Sequence, residues 1–139
     1  MQAGNTFSIG AFPALLPEIG TVAGLPDWQL GTLAGAFGLA RMAANVPVGL
    51  FLTRHLPRAL VLAPVFLLAG AALLAVGGGF STLLAGRILM GIGHTLGMLG
   101  GLTAILRYRA RGALASSLNA LELSAMVGML GGVGLVALL

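Results

Sequence analysis

The chain has 139 residues, the length of one domain, yet 58% are hydrophobic, 23 are glycine and only 7% are charged. So few charges cannot clothe a globule in water, which makes the bilayer the natural solvent. The net charge of +4 comes from seven arginines with no lysine, and cysteine is absent. Disulfide frameworks, thiol redox chemistry, cysteine nucleophiles and thiolate metal sites are therefore excluded.

Crossing about 30 Å of hydrocarbon takes roughly 20 apolar residues in a helix. Five apolar runs approach that length, near residues 7–22, 30–52, 59–76, 82–106 and 113–139. They predict an all-α polytopic transmembrane helix bundle of five spans, in a single domain over residues 1–139. The first run closes at Gly24-Leu25-Pro26-Asp27, where Asp27 is placed to cap the next helix. The second stops at the polar stretch Thr53-Arg54-His55-Leu56-Pro57-Arg58, with Pro57 suited to the first turn of the third. Gly77-Gly78-Gly79 ends the third, and Ser81 or Thr82 can cap the fourth. Arg107-Tyr108-Arg109-Ala110-Arg111 ends the fourth, and the last run continues to Leu139. None of the runs alternates apolar and polar residues, so a β-barrel is not indicated. No positive charge precedes the first run, which reads as a retained span rather than a signal peptide.

Short cytoplasmic loops retain positive charge. Arginine falls in the 53–58 and 107–111 loops and not in the other two. The N-terminus and both arginine loops are thus expected on the cytoplasmic side of a bacterial plasma membrane. Helix pairs in lipid need small residues at their contacts. Gly31 with Gly35, Gly93 with Gly97 and Gly101, and Gly128 with Gly132 each stand four apart and predict tight crossings. The third run lacks such a stripe and is expected to face lipid. Pro13, Pro17 and Pro47 mark positions of kinking or packing.

The polar residues inside the runs carry the functional signal. Glu18, Arg41, Arg87 and Glu122 each sit where a charge costs roughly 2.5–3.5 kcal/mol on insertion scales, so each needs a partner or a wet cavity. On the fourth run Arg87, Gly91, His94 and Met98 share one face, which reads as a cavity lining. Arg41 lies one turn from Asn45, and Asn119 shares a face with Glu122. Two readings stand: these residues line a solute or proton pathway, or Arg41 with Glu122 and Arg87 with Glu18 form structural pairs. His94 relays protons or donates one hydrogen bond in a packed contact. No constellation of nucleophile or metal ligands is present, so an enzyme is not indicated, and no cofactor is implied.

The stretch Leu25-Pro26-Asp27-Trp28-Gln29-Leu30-Gly31, then Pro47-Val48-Gly49 and the Arg54 to Arg58 loop, resembles the N-terminal half of major facilitator superfamily transporters. In that family a glycine, aspartate and basic motif between the second and third helices acts as a cytoplasmic gate. Gly49, Arg54 and Arg58 match its positions, while Thr53 stands at the aspartate, Leu56 at the second glycine and Pro57 at a basic position. Gly86-Arg87-Ile88-Leu89-Met90-Gly91-Ile92-Gly93 is similar to the fourth-helix signature of arginine, three residues, glycine, any residue, glycine. The resemblance gives Arg87 a role in proton coupling or substrate orientation. On the fifth run Val133 stands where antiporters carry proline, so antiport is not implied.

Family members have twelve helices, with solute bound near the midplane between two bundles. The resemblance implies secondary active transport of a small solute, ion- or proton-coupled, by a chain that is part of a longer permease. The expected partners are lipid, a small solute, and the remaining half of the transporter or a second copy, with no nucleic acid. The alternative is a non-transporting membrane subunit that assembles with another membrane protein.

Overall fold

The computed structural model describes residues 2–108 and 113–138, with side chains from Ala11 onward. Arg109 and Arg111 of the expected arginine loop, and Leu139, lie outside the described residues. The described chain is all-helical, as expected, but it forms four helices rather than five: α1 (Gln2–Ala23), α2 (Asp27–Val76), α3 (Phe80–Tyr108) and α4 (Leu114–Val136). Three of them, α2, α3 and α4, are long and apolar enough to cross a membrane; the apolar stretch of α1 with described side chains, Ala11–Ala23, is shorter.

The discrepancy lies at residues 53–58. The expected loop there is a bend inside α2, and His55 is the one residue in the helix with non-helical torsions, φ −131° and ψ 38°. The cause is local. A proline ring clashes with the carbonyl four residues before it and supplies no N–H, so Pro57 releases the carbonyl of Thr53. The Arg107 side chain at the end of α3 fills the gap, with Nη2 donating to that carbonyl at 3.0 Å. The His55 ring stacks on Phe51 one turn before it, with centroids 5.0 Å apart. At 1.5 Å per residue a straight helix of this length would run about 75 Å, more than twice the hydrocarbon thickness. The bend folds it back instead. Arg87 reaches Leu33 and Gly91 meets Phe37 and Ala40, so the first leg runs parallel to α3. Gly86 meets Gly70, Gly93 meets Ala63 and Phe66, and Gly100 meets Leu60, so the second leg returns antiparallel.

Replacing Arg107 with glutamine removes a charge-assisted bond that ties the bend to α3. We expect a loss of about 1 kcal/mol, and a larger loss when Pro57→Ala is added, because restoring the helical N–H competes with the fold-back. Unfolding in denaturant, compared between single and double variants, reads both effects.

Glycine sets the other turns. Gly24 ends α1 at φ +63°, with Leu25 N–H donating to Gly20 at 3.0 Å. Gly77 and Gly78, at φ +67° and +93°, turn the chain between α2 and α3 in a region that side chains disfavour. Pro26, not Asp27, occupies the N-cap of α2; Asp27 stands in the first turn, where its carboxylate still favours the positive helix end. α3 starts at Phe80, ahead of the expected Ser81 or Thr82 cap, and Trp28 packs on Phe80 with ring centroids 5.8 Å apart.

The chain packs as two pairs, α2 with α3 and α1 with α4, joined by narrower contacts. The second leg of α2, expected to face lipid, leaves Val61, Val65 and Leu68 exposed and buries one stripe, Leu56, Ala59, Ala63 and Gly70, which recur every three, four and seven residues. The tight seam of α3 against that leg is Gly86, Gly93 and Gly100; of the expected fourfold set Gly93 lies in this seam, and Gly101 faces Leu121 of α4. Seven residues span nearly two helical turns, so this spacing returns each glycine to nearly the same face of α3. Gly128 and Gly132 are the buried positions of α4, as their spacing predicts. Gly31 and Gly35 make no such crossing: a Cβ built on either meets nothing within 4 Å. None of the prolines within α1 or α2 interrupts the helix with non-helical torsions of its own.

Candidate functional site

Arg87 stands in the third turn of α3, roughly 10 Å along the axis from Phe80. The residues one turn to either side along this face are Leu83 and Gly91. Leu83 joins a buried cluster with Phe12 and Leu33, while Gly91 brings the backbone of α2 close, since a Cβ there would lie 2.8 Å from the Phe37 carbonyl. The arginine therefore grows into a crevice between α1 and the first leg of α2, and only 4% of it is exposed.

Three contacts hold the guanidinium. Nε donates to the Leu33 carbonyl at 3.2 Å. The guanidinium carbon lies 3.8 Å from the Phe12 ring centroid and 4.8 Å from that of Phe37. An aromatic face attracts a cation through its quadrupole, so two rings offset part of the desolvation. Nη1 is buried and finds no hydrogen-bond partner among the described residues. Arg87 also lines a cavity of about 440 Å³ bounded by Phe12, Leu15, Ile19, Leu74, Leu83 and Met90.

The other sequence-predicted residues fall in different places. Arg41 is half-buried, and its guanidinium carbon lies 5.7 Å from the same Phe37 ring. That ring brings the two arginines to one locality, a neighbourhood that their separation in sequence hides. His94 is 2% exposed, with its ring centroid 5.5 Å from that of Phe37. The face of Arg87, Gly91 and His94 is thus packed against α2, and of the three only Arg87 lines the cavity. Glu18, Asn45, Asn119 and Glu122 are exposed. The pairs Arg87 with Glu18 and Arg41 with Glu122 are not formed: the contacts of Arg87 are the Leu33 carbonyl and the two rings, and both carboxylates lie on open faces. At the bend Gly49 is half-buried, and Arg54 and Arg58 are exposed.

Phe12, Phe37 and the Leu33 carbonyl complete the site and were missed. A phenylalanine in an apolar run has the same composition signal whether it packs on leucine or on a guanidinium. No group of three or more histidine, aspartate or glutamate side chains is close enough to hold a metal among the described residues. The chain matches no family model, no curated protein and no solved structure.

Proposed function

We propose that the chain forms one helical bundle of a major-facilitator-type permease and takes part in secondary active transport of a small solute, coupled to a proton or another ion. The observation that carries this reading is Arg87: a buried cation with no carboxylate partner among the described residues, set inside a helix apolar enough to cross a membrane, in the wall of a cavity. Intramembrane charge of that kind marks substrate and ion pathways. The resemblance of Gly86 to Gly93 to the fourth-helix signature points the same way. His94, two turns beyond Arg87, is the titratable group proposed for proton coupling, with Arg41 near it around Phe37.

Asn45, Asn119 and Glu122 lie exposed on otherwise apolar helices, which supports a second bundle closing over them, from the remaining half of the transporter or a second copy. The orientation follows the arginines: the 53–58 and 107–111 segments face the cytoplasm of a bacterial cell. A second reading, a non-transporting subunit of a membrane assembly, is favoured by the open glycine face at Gly31, Gly35 and Gly38.

The test is uptake in cells expressing the chain, against Arg87→Gln at matched membrane levels. We expect uptake to fall more than tenfold in the variant. Unchanged uptake removes Arg87 from the pathway. No uptake of any solute class, with another membrane protein co-purifying, favours the second reading.

A further inference from the structure

We infer that the cavity beside Arg87 binds an organic monoanion with an apolar body, such as a medium-chain or aromatic carboxylate, whose charged end meets the guanidinium. This deepens the transport reading and rests on it, since it names the class of solute carried. The wall supplies one charge and otherwise hydrocarbon: Phe12, Leu15 and Ile19 from α1, Leu74 from α2, Leu83 and Met90 from α3, with alanines between them. A volume of about 440 Å³ lies within the range of small-ligand sites.

The polarity of the site selects the sign and number of charges. Nη1 of Arg87 is buried with no hydrogen-bond partner among the described residues. Arg41 faces the Phe37 ring that also faces Arg87, so a second positive charge is near. The acidic side chains Glu18, Asp27 and Glu122 are all exposed. Arg87 is the one charged side chain among the described residues that line the cavity, which disfavours cations there and favours anions. A carboxylate that reaches the guanidinium accepts charge-assisted hydrogen bonds from it, stronger away from water. A sugar or a dianion would leave polar groups facing leucine and methionine without partners, because Arg41 does not line the cavity and Arg87 alone meets what enters it. Phe12 both lines the cavity and covers the guanidinium, so an aromatic or alkyl body can lie against the same ring that stabilises the cation.

The experiment is equilibrium binding of labelled octanoate to the purified chain in zwitterionic lipid nanodiscs, with octanol and octylammonium as neutral and cationic matches. We expect saturable octanoate binding, octanol at least tenfold weaker and octylammonium undetectable. Arg87→Met should weaken octanoate binding at least tenfold, and Ala71→Phe, which fills the cavity and leaves the arginine in place, should do the same. Octanol binding as tightly as octanoate, or full binding by Arg87→Met, overturns the inference. Displacement by oleate loaded in the disc identifies the bilayer as the source of the anion, displacement by benzoate identifies the water phase, and displacement by neither overturns it. Octanoate binding without octanoate uptake into vesicles keeps the site and removes the transport reading. Uptake of another solute that Arg87→Met leaves untouched keeps transport and removes the site.

Discussion

Arg87→Met is expected to make the chain more stable while it removes the group on which the proposed function depends. The native arginine keeps one hydrogen bond, to the Leu33 carbonyl, and two aromatic faces, while Nη1 stays buried without a partner among the described residues. A charge-assisted bond contributes about 1.5–3 kcal/mol and each cation–π contact about 0.5–2 kcal/mol. Against them stands the several kcal/mol needed to take an unpaired ion out of water. Replacing such an ion with an apolar side chain of similar length is commonly neutral or stabilising by about 1–4 kcal/mol. Methionine suits the slot, because its sulfur gains about 0.3–1.5 kcal/mol against aromatic rings such as Phe12 and Phe37. We expect a net gain of about 1–2 kcal/mol, read as a rise in the thermal unfolding midpoint in nanodiscs. Arg87→Lys should move the other way, since an ammonium keeps the charge, is more strongly hydrated and cannot lie flat between two rings. A loss above about 2 kcal/mol in Arg87→Met would make the arginine a structural tie, and the functional proposals would lose their main support.

The sequence makes the helices legible because apolar length and turn chemistry are local properties. Gly24 and the Gly77 to Gly79 run end helices where expected, each glycine with positive φ doing what a side chain resists. The stretch from Thr53 to Arg58 is different. Its polar composition predicts a loop, but the chain turns on one non-helical residue, because Pro57 frees a single carbonyl and Arg107 satisfies it from another helix. That partner is distant in sequence, so no local pattern announces it. The glycine seam shows the same limit. Fourfold spacing is visible in Gly93, Gly97 and Gly101, but the seam against the antiparallel second leg of α2 runs through Gly86, Gly93 and Gly100, which only the packed pair reveals. At the site, Arg87 is legible because charge is rare in an apolar run. Phe12 and Phe37 are not, since the contacts that give them a role exist only after α1, α2 and α3 have packed.

Glycine substitutions along α2 and α3 should separate the packing of this chain from its contacts with other chains. A Cβ on Gly70 would lie 2.7 Å from the Gly86 carbonyl oxygen, and one on Gly86 would lie 2.9 Å from the Gly70 oxygen. On Gly93 it would meet the Ala63 oxygen and the Leu67 nitrogen, both at 3.0 Å. These are backbone atoms rather than the ends of flexible side chains, so relief requires the second leg of α2 to move away from α3. We expect alanine at Gly70, Gly86 or Gly93 to cost about 1–3 kcal/mol, even after the roughly 1 kcal/mol that alanine contributes to a helix. Gly70→Ala with Gly86→Ala should cost less than the two single effects added, because one displacement relieves both. On the other face, Gly31→Ala and Gly35→Ala meet nothing within 4 Å and should be neutral or stabilising by up to about 1 kcal/mol. The bulkier Gly35→Leu then distinguishes the two uses of the helix. If that face receives a neighbouring helix during transport, the variant should unfold like the native chain yet lose uptake, because small residues there permit backbone approach. If uptake is unchanged as well, the open glycine face is lipid-exposed surface, and the neighbouring bundle must meet the chain elsewhere.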